Sequence, residues 1–322
     1  MKKRGDGISK ELSHSLYRRV LKVVSVAGQS PLRRMALLQW IEFAPPQVCI
    51  APGDEPRQVA RRSFEAPYTP AAVANAFTFL KEARDSLFVI RVLAEWERLE
   101  GQGHWDLCDG TALMSAALHS ARVGCDSQQA LERRIKDYQV GIRSCVQRIA
   151  YTVQERLEVR SLKAGHAKHL NTFIELVREA GALERREVKP EDFSLVSLLQ
   201  NRCASECILN IIVLCVLRSI GIHSTLVGAD LSFRWVRVTP PRNAPAVFAS
   251  WTYGAMRRRE VEQLIRTADR QWHRPVLRDT LQRKSVLCAL LRRQLESIPR
   301  PLDAGATTME SACKAQILFL LS

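Results

Sequence analysis

Apolar residues fall at helical spacing along most of this chain. Leu131, Ile135, Tyr138, Ile142, Cys145, Ile149 and Val153 recur at steps of four and three, which puts one continuous stripe on a 3.6-residue helix. Asp126 and Gln129 stand ahead of it at capping-box spacing. A second helix is predicted over residues 167–180, with Leu170, Phe173, Ile174 and Val177 inward and Gly181 at its end. These two helices are expected to pack as a hairpin. Upstream, Thr69 and Pro70 supply a cap and a first helical position. The helix they open carries Val73, Phe77, Leu80, Ala83, Phe88 and Leu93, with Arg84-Asp85-Ser86 as a point where it would break. A shorter helix is predicted over residues 111–123. Further helices are expected over residues 10–26 and from Ser30-Pro31, and the proline-rich stretch 45–67 reads as a linker.

The texture changes at Pro190. A helix is predicted over residues 191–199, then a more buried one over residues 203–220, stopped by Gly221. Three β-rich stretches follow, at residues 223–227, 232–238 and 247–253. Gly228-Ala229-Asp230 and Pro240-Pro241-Arg242-Asn243 separate them. Helices return over residues 257–268, 275–298 and 308–321. The expected class is α+β and predominantly helical: a helical amino-terminal region, then a helix plus small antiparallel sheet, then terminal helices. The corresponding segments are residues 1–67, a basic helical segment and linker; 68–185, a helical domain; and 190–322, an α+β domain with a helical end.

Composition narrows the class further. Of 322 residues, 46% are hydrophobic and 25% charged, a globular balance rather than a disordered one. The longest apolar run, residues 207–217, contains Asn210 and falls well short of the roughly 20 residues a bilayer span requires. No transmembrane segment is expected. The nine cysteines are an odd number, spread singly and mostly among apolar neighbours, as buried thiols in a reducing compartment are. The expected location is therefore cytoplasmic. No metal-ligand, dinucleotide or phosphate-loop motif occurs, so neither a metal nor a cofactor is expected. His166 and His169, beside Lys168, read as a surface pair.

One stretch carries candidate chemistry. Asn201-Arg202-Cys203-Ala204-Ser205-Glu206-Cys207 leads into the buried helix, which ends in Leu214-Cys215-Val216-Leu217-Arg218-Ser219-Ile220-Gly221-Ile222. The order of cysteine, helix, leucine-arginine and glycine-isoleucine phrase, then strands, resembles the transglutaminase-like (papain-like) superfamily. That resemblance implies a thiol at a helix start, where the helix dipole favours its anion, with an imidazole to take its proton and an acid to orient the imidazole. Cys203 or Cys207 would be the nucleophile. Phe233-Arg234-Trp235-Val236 puts Phe233 where the histidine belongs, and residues 248–251 contain no aspartate. The expectation is a retained fold with lost activity, in which Cys203, Cys207 and Cys215 line one buried helix face. The alternative is a cysteine-dependent hydrolase or transferase that recruits His223 or Glu206 as its base.

Charge supplies the other candidate. The net charge is +15, which favours anionic partners. Residues 257–300 hold twelve Arg and Lys against five Asp and Glu. Arg257, Arg258, Arg259, Arg266, Arg270 and Arg274 would grip phosphates, and Trp272, with Trp251 and Tyr253 nearby, would stack on unpaired bases. The expected function is a noncatalytic basic binding or scaffold protein that contacts nucleic acid or an acidic protein.

Overall fold

The computed structural model describes residues 70–124, 127–157, 167–228, 235–239, 245–268, 281–299 and 304–322. The helices expected within residues 10–41 and the linker at 45–67 lie outside the described residues. The chain divides into two compact units, Met1–Arg91 and Val92–Ser322. Helix α1 (Pro70–Gly101) begins in the first and ends in the second. It is continuous through Arg84-Asp85-Ser86, where the sequence suggested a break; these residues are tolerated in helices and no Gly or Pro accompanies them.

Within the second unit, α2 (Leu107–Val123) opens on a reciprocal cap. The Asp106 carboxylate accepts from the Asp109 amide at 2.9 Å, and the Asp109 carboxylate accepts from the Asp106 amide at 3.2 Å. This helix is buried along almost its whole length, which its small residues permit. A side chain on Gly110 would stand 2.5 Å from Leu287. Helix α3 (Gln128–Arg156) buries the whole predicted stripe. Its cap is Ser127, whose Oγ accepts from the Ala130 amide at 3.1 Å. Helix α4 (Ala167–Gly181) packs against α3, as a hairpin partner should.

The next segment departs in detail from expectation. Strand β1 (Glu184–Arg185) pairs in parallel with β2 (Cys203–Ala204). Between them lie a 3-10 turn (Pro190–Phe193) and α5 (Leu195–Asn201), where one helix was predicted over 191–199. Helix α6 (Glu206–Ser219) starts three residues later than predicted, because Cys203 and Ala204 are extended in the ladder and Ser205 supplies the cap. Strands β3 (Ser224–Val227), β4 (Trp235–Val238), β5 (Val247–Ser250) and β6 (Gly254–Arg257) then form an antiparallel meander in sequence order. Strand β6 was not predicted. The third β-rich stretch ends at Ser250, and the chain reverses through Trp251–Tyr253 to Gly254, whose φ of 74° suits glycine.

Helices α7 (Arg258–Ala268), α8 (Arg283–Ser297) and α9 (Ala304–Leu321) complete the described residues, which contain nine α-helices and this small sheet. The fold class is α+β and mainly helical. Helix α6 lies on β3 and β4, and α4 lies on β5 and β6. Helices α8 and α9 pack on α2, so segments before and after residues 185–190 share one core. Trp96 Nε1 donates to Gln316 Oε1 at 3.0 Å across that core. On the sheet, Val227, Trp235, Phe248 and Val261 form a buried cluster that fastens α7, with Leu264 and Ile265 packed beside it. Each such side chain contributes about 1.5–3 kcal/mol when fully buried. Among the described residues, no helix is long and apolar enough to cross a membrane.

Candidate functional site

The two cysteines that the sequence singled out lie at the amino-terminal end of α6. Cys203 sits in β2 and Cys207 in the first turn of α6, both buried. Between them, Glu206 is also buried, with 2% of its surface exposed. Its Oε1 accepts from Ser250 Oγ at 2.9 Å and from the Thr252 amide at 3.3 Å. Its other oxygen lies 3.5 Å from an Arg185 guanidinium nitrogen, and its amide donates to Glu187 at 2.9 Å. One turn on, Asn210 Oδ1 accepts from the Trp251 amide at 2.9 Å. Arg178 lies over the Trp251 ring, 5.3 Å from its centroid, and donates to the Trp251 carbonyl. Glu206 and Asn210 thus fasten the start of α6 to the turn between β5 and β6. A carboxylate at a helix start is also favoured by the helix dipole.

The structure does not bring His223 to either sulfur. His223 is exposed and follows the far end of α6, and the helix from Cys207 to Ser219, at about 1.5 Å per residue, spans about 18 Å. Glu206, the other proposed base, is committed to the latch just described. Phe233 and Arg234 lie outside the described residues. Cys203 does not share a helix face with Cys207 and Cys215, since it belongs to β2, and Cys215 is half-buried near the other end of α6.

The basic segment divides by exposure. The Arg257 amide donates to Glu260 Oε2 at 2.6 Å and so caps α7, while the Arg257 side chain is exposed. Arg258 is half-buried and pairs with Glu262 at 2.8 Å. Arg259 and Arg266 are both exposed. Seven residues apart, they lie on one face of α7, separated by two turns or about 10 Å. They line a shallow surface depression of about 370 Å³ with Glu262, Gln263 and Thr267. The opposite face of α7 is the one sealed to the sheet by Val261, Leu264 and Ile265. Arg270, Trp272 and Arg274 lie outside the described residues.

The stacking expectation narrows. Trp251 is 5% exposed and lies under Arg178, so it belongs to the core rather than to a base platform. Tyr253 is 37% exposed, and its ring stacks on Trp235 with centroids 5.7 Å apart.

Two features escaped the sequence. One is the Glu206–Ser250 latch, whose partners are 44 residues apart with no local signal. The other is a thiol pair, Cys108 and Cys215, at the opposite end of α6. Among the described residues, no group of three or more His, Cys, Asp and Glu side chains is placed to hold a metal ion. Comparison with protein-family models, with curated proteins and with solved structures yields no match to this chain.

Proposed function

We propose that this chain is a noncatalytic binding protein that holds single-stranded nucleic acid by its phosphates along the exposed face of α7. The observation that carries the reading is the alignment of Arg259 and Arg266 on one solvent face beside the exposed Arg257. Guanidinium groups so placed bind phosphate oxygens with two donors each. The net charge of +15 adds long-range attraction. Exposed Tyr253 provides a ring for an unpaired base. The thiol alternative draws no support from His223, which follows the far end of α6 from both cysteines.

The test compares two triple variants of the full chain by fluorescence anisotropy with a labelled single-stranded oligonucleotide. One carries Arg257→Glu, Arg259→Glu and Arg266→Glu; the other carries Lys2→Glu, Lys3→Glu and Arg4→Glu. A salt series gives the slope of log affinity against log salt, which counts neutralised phosphates. The α7 variant is expected to lose about two to three phosphate contacts from that slope, each lost contact lowering it by about one. The amino-terminal variant is expected to stay near the parent. Equal losses in both variants overturn the reading in favour of bulk charge. An absence of binding by the parent near physiological salt overturns it in favour of an acidic protein partner.

A further inference from the structure

We propose that Cys108 and Cys215 are a redox-active thiol pair that closes to a disulfide on reaction with a small disulfide oxidant. Their sulfurs lie 3.1 Å apart, about 1 Å beyond a bonded S–S distance. The pair joins parts of the chain separated by 107 positions. Cys108 sits in the first turn of α2 and Cys215 near the end of α6, and the backbones of these helices approach within 8 Å. The two sulfurs already touch, so closure asks for a movement of about 1 Å between them.

Access separates Cys215 from the other described thiols, its buried partner Cys108 included. Cys145, Cys203, Cys207, Cys288 and Cys313 are buried, whereas Cys215 is half-buried. Both residues of the pair line a cleft of about 220 Å³ shared with Asp106, Arg143 and Arg218. Arg143, which pairs with Asp109 at 2.8 Å, and Arg218 share the cleft with Asp106, so its walls carry both signs and a small disulfide such as glutathione disulfide enters without selection by charge. The order of attack follows from the surroundings. The neighbouring Cys215 thiol and burial hold Cys108 protonated far above the usual thiol range, so the accessible Cys215 reacts first. Its thiolate attacks one sulfur of glutathione disulfide, forming a mixed disulfide and releasing one glutathione thiolate. Cys108 then displaces the second glutathione as its own proton passes to solvent. Two protein thiols are oxidised and one glutathione disulfide is reduced to two glutathione thiols. The thiols expected for a reducing compartment are thus, at this one place, arranged to record its loss.

The test uses the full chain, reduced and then equilibrated in glutathione buffers of increasing oxidised fraction. Acid quenching, alkylation of the remaining thiols, digestion and mass spectrometry follow. The expected result is a linked pair of peptides carrying Cys108 and Cys215, formed ahead of any other pairing and reversed by dithiothreitol. Oxidation should also raise the thermal midpoint, because a long closed loop restricts the unfolded chain. Cys215→Ser should abolish the link and Cys145→Ser should leave it unchanged, with circular dichroism checking that each variant is folded. Since the parent gives the primary result, misfolding of a variant leaves the outcome readable. A stable glutathione adduct at Cys215 with Cys108 still alkylated overturns the proposal. So does linkage spread equally over other cysteines, or no linkage at any glutathione ratio.

Discussion

At its amino-terminal end α6 sets Glu206 and Asn210 against the β5–β6 turn, where Ser250, Trp251, Thr252 and Arg185 meet them. At its carboxyl-terminal end the same helix presents Cys215, Arg218 and Ser219 to a cleft. Both ends carry thiols and charge, yet they serve different purposes. A charge taken out of water is tolerated only with several partners in place, so the enclosed end becomes a fastening. The open end keeps a sulfur within reach of solutes. Residue type alone does not decide between these outcomes. What decides is whether a distant segment closes over the side chain.

The largest effect should come from breaking the enclosed end at Asp192. This carboxylate is fully buried. It accepts from Arg186 at 2.9 and 2.7 Å, and from the amides of Val188 and Lys189 at 3.0 Å each. The Asp192 carbonyl accepts from the amide of Ser205, the residue that caps α6, at 2.6 Å. Burial alone would raise its pKa, but the Arg186, backbone and Ser197 hydrogen bonds outweigh that and hold it below the ordinary value. A depressed folded pKa stabilises the protein above the unfolded value of about 3.9, and that contribution is lost as pH falls through the lower folded value. Asp192→Ala should cost about 3 kcal/mol in urea denaturation at pH 7, and the difference from the parent should shrink in strong acid. A loss below about 1 kcal/mol, the size of an ordinary hydrogen bond, would mean that the enclosed end is not held this way.

A smaller loss is expected at Ser250. Its Oγ donates to Glu206 and accepts from the amides of Thr252 and Tyr253 at 3.3 and 3.4 Å. Ser250→Ala leaves a buried carboxylate short of a donor, at a cost of about 2 kcal/mol. Urea denaturation measures it. A double variant with Glu206→Gln sharpens the comparison. If the two residues act as one latch, the combined loss falls short of the sum of the single losses.

The amphipathic helices of this fold are readable because each depends on its own periodic stripe. Every stripe position from Leu131 to Val153 is buried in α3, and α7 begins within one residue of its predicted start. Strands β3, β4 and β5 were legible for the same local reason, as β-rich stretches between turn residues. Strand β6 was hidden because Gly254-Ala255-Met256-Arg257 contains no β-branched residue and opens on glycine. The start of α6 was misplaced because pairing with β1 overrides local preference at Cys203. At the candidate sites, the arginines of α7 were visible as charge, but their division into paired Arg258 and exposed Arg259 and Arg266 required the helix to be placed on the sheet. Trp251 reads as a stacking residue until Arg178 and Asn210 enclose it. The Cys108–Cys215 approach joins two helices 107 positions apart, and no spacing rule in the sequence reports it.

The smallest expected effect lies at the open end of α6. Arg218 donates from Nε and Nη2 to the Ser224 carbonyl at 3.2 and 3.0 Å, joining the end of α6 to the start of β3. Its residue is exposed, so water replaces these bonds readily when the side chain is removed. Arg218→Ala should therefore cost only about 0.5–1 kcal/mol in urea denaturation. The same change shortens a wall of the cleft that Cys215 lines, so iodoacetamide should label Cys215 faster in the variant than in the parent. Cys203 and Cys207, enclosed at the other end, should label slowly in both. A stability loss as large as that at Asp192 would show that the open end is also a fastening. Equal labelling of all three cysteines in the parent would show that neither end is closed, and the contrast between them would fail.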